Sequence, residues 1–143
     1  MGSISFDRLD HGHRLRSIKR VRHWLQQVIE SHGLEVGEIA IIFCTDAALL
    51  DINRQALDHD YYTDIITFDH CVGDIVSGDL YISVDRVKEN AREHGATTFH
   101  EMLRVCVHGI LHLCGQGDKT PAEAQLMRQK ENHWLSMFHV EPS

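Results

Sequence analysis

The chain has 143 residues with 43% hydrophobic content, enough for a real core, so a single domain over residues 1–143 is the expectation. No apolar run approaches the roughly 18 residues of a membrane span, and the opening MGSISFDRLDHGHRLRS lacks the apolar stretch of a secretory leader, which points to the cytoplasm. The net charge of −7 argues against a protein that coats nucleic acid, although Arg8, Arg14, Arg16, Lys19, Arg20 and Arg22 crowd into one segment and leave room for one basic face.

Taken in order, residues 3–6 alternate and predict a short strand. Residues 15–31 predict an amphipathic helix whose buried stripe is Leu15, Ile18, Val21, Leu25, Val28 and Ile29, with Arg16, Lys19, Arg20 and His23 on another face. That basic face is either a solvated helix surface or a surface that touches phosphates. Residues 38–44 form a β-branched apolar run, a buried strand, and Thr45 or Asp46 caps a helix over 47–57. A polar loop follows, then strands at 63–69 and 77–83 separated by a connection over 70–76. A helix from Val84 ends at Gly95, and Thr97 or Thr98 starts the next, with Glu101 placed to complete a capping box with Thr98. The same start signal recurs at Thr120, Pro121 and Glu123 and opens a last helix to about Phe138, packed through Leu126, Met127, Trp134, Leu135 and Phe138, with a frayed tail after His139. The elements alternate without the regularity of a nucleotide-binding sheet, and no Gly-rich phosphate loop follows a strand. The fold expected is α+β: a small mixed sheet of about four strands packed with helices.

The most apolar of these helices ends in HGILHLCGQGD, residues 108–118. His108 and His112 are four residues apart, one turn up the same helix face, so both imidazoles reach one point. Each buried ring needs partners for its nitrogens, either core hydrogen bonds or a shared cation. Gly115 offers a helix stop and lets the chain turn back, bringing Asp118 toward the pair as a third ligand. Three protein ligands with a position left for water is the arrangement of a catalytic zinc site. Gly109 occupies the place of the glutamate in a His-Glu-x-x-His protease, so that chemistry is disfavoured.

Residues 108–118 resemble the signature of the YbeY family, single-strand-specific metal-dependent endoribonucleases of ribosomal RNA maturation. The family pattern is His-Gly-x-Leu-His-Leu-x-Gly with a histidine ten residues after the first; Asp118 stands at that place here. The stretch from Asn53 to Phe68 resembles the family's second signature through Asn53, Asp60, Tyr61, Thr63, Asp64 and Phe68. Tyr62 replaces a proline there, and Leu57 falls where the family has an arginine tied to activity. Arg54, nearly one turn earlier, is either a substitute cation or an ordinary surface arginine, and His59 and Asp60 in the signature loop are the candidates for a general base. Residues 77–83 resemble a Gly-Asp-Ile-x-Ile-Ser segment, where Asp79 makes hydrogen bonds at the sheet end or supports a metal histidine. The resemblance implies that the His108 helix is central and that His108, His112 and Asp118 hold one Zn²⁺ per chain. It also implies that the substrate is single-stranded RNA, ribosomal RNA or a ribosomal particle; the basic face of Arg16, Lys19 and Arg20 is the candidate surface to follow its backbone. Cys114 matches a variable family position and stays outside the ligand set. None of Cys44, Cys71, Cys106 and Cys114 forms a Cys-x-x-Cys pair, and no disulfide is expected. The rival from another class is a non-catalytic ribosome-assembly factor with a structural metal, for which a fourth protein ligand would speak.

Overall fold

Alternating burial along β1 (Ser3–Arg8), β2 (Glu35–Cys44) and β4 (Ile75–Ser83) gives each strand one face for a core. In the computed structural model, which describes residues 2–140, these strands and β3 (Ile65–Asp69) form one sheet in the order β1-β2-β4-β3. β1 pairs parallel with β2 and β2 with β4, while β3 is antiparallel to β4. The sheet is therefore mixed and four-stranded, and five helices accompany it: α1 (Ile18–Ser31), α2 (Asp46–Leu57), α3 (Val84–Glu93), α4 (Thr98–Leu113) and α5 (Pro121–Val140). The frayed tail expected after His139 lies, beyond Val140, outside the described residues. No helix among those residues is long and apolar enough to cross a membrane.

The main core lies on one face of the sheet. Ile39, Ile41 and Phe43 of β2 and Leu80 and Ile82 of β4 meet Val21, Leu25 and Val28 of α1 and Met102, Leu103, Cys106 and Ile110 of α4. The helix α4 touches α1, α3, α5, β3 and β4, so it is wrapped on nearly every side. Its fully buried Leu103, Ile110 and Leu111 each stabilise the fold by an amount that truncation to alanine would put at about 2–5 kcal/mol. The other sheet face carries a smaller cluster of Cys44, Leu49 and Ile66 beneath α2. Gly109 lets α4 lie down on the sheet: a Cβ there would stand 2.4 Å from Leu80 Cδ2 and 2.8 Å from Ile65 Cδ1.

Several boundaries differ from the sequence expectation. α1 starts at Ile18 rather than Leu15 because Ser17 is left-handed at φ 56°, although Leu15 still joins the core. β2 starts three residues early and β4 two, since the ladder from Glu35 to Ile75 extends both. β3 starts two residues late, at Ile65, its first partner being Ile82. At α4, Thr97 is the cap and accepts the His100 N–H at 3.0 Å, so Glu101 lies one position too deep for a capping box and is buried instead, 3.5 Å from His94 Nδ1. The box at α5 forms: Glu123 N–H donates to Thr120 Oγ1 at 3.1 Å and Thr120 N–H to Glu123 Oε1 at 3.2 Å. On α5, Met127, Leu135 and Phe138 are buried, whereas Leu126 is exposed.

Candidate metal centre

The end of α4 is a Schellman motif. Cys114 is the cap residue, Gln116 N–H donates to Leu111 O at 3.0 Å, Gly115 N–H donates to His112 O at 3.0 Å, and Gly115 takes φ 101°. This turn folds residues 116–118 back over the last turn of the helix. Asp118 Oδ2 then lies 3.5 Å from His108 Nε2 and 3.3 Å from His112 Nε2, and the three ligating atoms fall within 4.8 Å of one another. The two imidazoles stand nearly edge to face, with centroids 4.7 Å apart.

The donor set fits a small cation. His108 Nδ1 is 2.6 Å from Glu131 Oε2. A carboxylate only accepts, so Nδ1 carries the proton, and it is the Nε2 atom, the one a cation would take in place of a proton, that faces Asp118. Acceptors facing each other at 3.3–3.5 Å repel unless a proton or cation lies between them. Ligands held tetrahedrally at about 2.0–2.1 Å from one zinc ion stand roughly 3.3 Å apart, close to the 3.5 and 3.3 Å between Asp118 and the two rings. Among the described residues the cluster has these three members, and Cys114 is not one of them. Burial pushes the Cys114 thiol up to about 11, keeping it protonated.

Behind His108 lies a network that sequence reasoning missed. Glu131 is buried, and its other oxygen accepts from Arg104 Nη1 at 3.0 Å. Burial works against the charged His108 ring, yet the hydrogen bond and charge of Glu131, aided by Asp64 and Asp118, outweigh it and raise the pKa. Burial likewise works against ionised Glu131, but His108 and Arg104 hold its pKa down. The available signal was spacing: Met127, Glu131 and Leu135 sit four apart, so one carboxylate interrupts the buried stripe of α5. Asp64, known from the sequence only as a signature match, has its pKa raised by burial and lines both cavities that flank the centre.

Those cavities form one interrupted cleft. One, about 620 Å³, is lined by Asn53, Leu57, His59, Tyr61, Asp64, His108, His112, Asp118 and Lys119, among others. The other, about 360 Å³, runs between α3, α4 and α5 past Asn90, His94, Glu101, Arg104, Arg128 and Glu131. His59 thus reaches the cleft, with its Nδ1 3.0 Å from the Tyr61 hydroxyl. Arg54 is turned to Asp60 in an exposed ion pair and lines neither cavity. Asp79 faces His70 at 3.3 Å rather than a histidine of the centre. Arg16, just ahead of α1, and Arg20 on it are placed elsewhere: the Arg16 guanidinium lies 4.2 Å over the Phe99 ring, and Arg20 covers Phe138 and donates to its carbonyl. Phe99 and His112 are thirteen residues apart on α4, roughly 20 Å along its axis, so this basic face is at the far end of the helix from the centre.

Comparison with known proteins agrees with this geometry. The family described as Endoribonuclease YbeY matches residues 8–139. An Endoribonuclease YbeY of Bacteroides thetaiotaomicron is 51% identical over 128 residues, covering 88% of this chain and 93% of its own. One from Christiangramia forsetii is 48% identical over 120 residues, covering 84% of each. The solution structure of TM1509 from Thermotoga maritima superposes with a TM-score of 0.68 at 25% identity, covering 96% of this chain and 89% of that one.

Proposed function

The chain belongs to the YbeY endoribonuclease family, and from that premise we propose that it is a metal-dependent endoribonuclease that hydrolyses single-stranded RNA, its substrate being ribosomal RNA or a ribosomal particle in the cytoplasm. Residues 1–143 act as one domain. The observation that carries the reading is the convergence of His108 Nε2, His112 Nε2 and an Asp118 oxygen at the floor of an open cleft. These three residues would hold one Zn²⁺, which when bound supplies Lewis acidity to a phosphate oxygen and lowers the pKa of water.

The remaining work belongs to the chain itself. Glu131 fixes the His108 tautomer, and Arg104 fixes Glu131, so the ring is oriented before any ligand arrives. Two neutral imidazoles and one carboxylate give a loaded site a net charge near +1, which attracts a phosphodiester more than a site richer in carboxylates would. The cleft continues on both sides of the centre, so a strand can enter along one cavity and leave along the other. His59 is the suggested catalytic side chain with a place in the cleft. The assembly-factor reading calls for a closed, four-ligand metal, and the three-member set beside a cavity of about 620 Å³ favours the hydrolase.

The test is direct. Purified protein should carry roughly one zinc per chain, and His112→Ala should lose it. Single-stranded ribosomal RNA should be cut without chelator and spared with it. Equal cleavage by His108→Ala would overturn the proposal.

A further inference from the structure

We propose that the loop between α2 and β3 is a nucleobase-stacking platform, on which a base of single-stranded RNA lies against the Tyr61 ring beside the metal centre. The proposal rests on the RNA-cleaving reading above and adds the means by which the strand is held.

Tyr61 is 56% exposed, a large ring left in water at the lip of the cavity that also holds His108, His112 and Asp118. Its position is built rather than loose. The ring stacks on His59 with centroids 5.2 Å apart and planes 21° from parallel, and its hydroxyl meets His59 Nδ1 at 3.0 Å. Buried Asn53 clamps the loop at two points: its Nδ2 donates to Tyr61 O at 2.9 Å, and its carbonyl accepts the His59 N–H at 3.0 Å. Leu57, 40% exposed, extends the apolar rim on the same side. An aromatic pair anchored by a buried amide has its orientation set in advance, so binding a base costs little ordering.

Electrostatics points the same way. Among the residues lining this cavity Lys119 is the one permanent cation, set against Asp64, Asp69 and Asp118. Arg16, just ahead of α1, and Arg20 on it cover Phe99 and Phe138, away from this end of α4. Arg104 and Arg128 in the adjoining cavity are turned to Glu131. In a chain of net charge −7, backbone attraction of the kind that dominates most nucleic-acid binding is weakened here, and base stacking on an aromatic ring adds affinity that does not depend on it. A duplex keeps its base faces stacked on one another and cannot offer one to Tyr61, so the same ring would impose a preference for single strands.

The experiment measures binding of a short fluorescein-labelled single-stranded oligoribonucleotide, and of the same sequence as a duplex, by anisotropy in the presence of chelator. Tyr61→Ala should weaken single-strand binding about 5- to 150-fold, the equivalent of about 1–3 kcal/mol for one stacked base, and leave duplex binding unchanged. Tyr61→Phe should bind as wild type, and Tyr61→Leu should fall with Tyr61→Ala. Tyr62→Ala is the matched control, because that ring, 55% exposed, lies beneath Arg86 at 5.5 Å and outside the cavity lining; it should bind as wild type. Binding of Tyr61→Ala within twofold of wild type, or an equal loss in Tyr61→Phe, overturns the platform. Zinc-loaded cleavage, run in parallel, separates the two readings. Cleavage by wild type with unaltered Tyr61→Ala binding removes the platform alone. Binding through Tyr61 without cleavage supports the platform and removes the hydrolytic reading; a wild type that binds no single strand in chelator removes the platform, and one that also fails to cleave when zinc-loaded removes both.

Discussion

Glu131 is the residue whose replacement interrogates the centre most sharply without touching a ligand. Its side chain is 6% exposed and accepts from His108 Nδ1 at 2.6 Å while also pairing with Arg104 at 3.0 Å. Glu131→Gln keeps the shape and removes the charge that fixes the ring and its tautomer. Loss of a carboxylate behind a metal histidine costs 10–100-fold in affinity, about 1.4–2.7 kcal/mol. Glu131→Ala is the poorer probe, because Arg104, 15% exposed, would be left as an unpaired buried charge at about 3–5 kcal/mol. The measurement is zinc competition against a chromogenic chelator, with circular dichroism to verify the fold. Zinc affinity within twofold of wild type in Glu131→Gln would refute the argument. A second refutation comes from the cycle with His108→Ala: if Glu131 acts through that ring, adding Glu131→Gln to His108→Ala should change zinc affinity no further.

Asp118→Ala should lose zinc as His112→Ala does, whereas Cys114→Ser should keep roughly one equivalent by metal analysis; the reverse pattern would move the third ligand to the thiol. Gly109→Ala should destabilise by about 1–2 kcal/mol in urea, the overpacking against Leu80 and Ile65 exceeding the gain in helix propensity. Burial pushes the Cys44 and Cys106 thiols to about 12 and Cys114 to about 11, so iodoacetamide at pH 8 should modify these three far more slowly in the native protein than after denaturation, as counted by mass spectrometry. Hydrogen bonds from the Thr45 hydroxyl and N–H, at 2.7 and 2.8 Å, depress the Asp10 carboxyl below its usual range. Asp10→Asn should therefore cost about 0.5–1 kcal/mol at neutral pH, with the cost fading as pH falls through the depressed folded-state value and wild type loses the same charge.

The parts of the fold that the sequence exposes are those determined locally. α4 is an apolar run closed by Gly115, and its histidine spacing alone places both rings on one face. The Asp118 ligand is legible because a Schellman turn has a fixed course, so the reach of the next residues follows from a single glycine. What stays hidden depends on contacts between distant segments. Glu131 looks like one more charge on a mixed helix until α5 lies against α4 and brings it to His108, 23 residues away. The basic residues at and just before the start of α1 read as a solvated or phosphate-facing surface, yet Phe99 and Phe138, supplied from the far half of the chain, turn Arg16 and Arg20 into covers for aromatic rings. Glu101 looked like a cap because its spacing from Thr98 suits one, and the choice of Thr97 instead sends it inward.

The site divides between rigid and adjustable parts, and the division follows from the core. His108 and His112 ride on a helix surrounded by sheet and helices, so their separation is fixed by the packing that holds the whole domain together. Asp118 hangs from a short turn whose carboxylate is partly exposed. On the proposed reading, a ligand on such a turn would settle onto a cation that two fixed imidazoles locate, which would let a carboxylate serve where the family signature has an imidazole. The exchange would lower the charge of the loaded site by one, and the nearby arginines, Arg104 and Arg128, are turned to Glu131. A weaker electrostatic hold on the phosphate makes contacts to the bases more important for binding, and the anchored ring of Tyr61 stands at the lip of the cleft where such contacts would form.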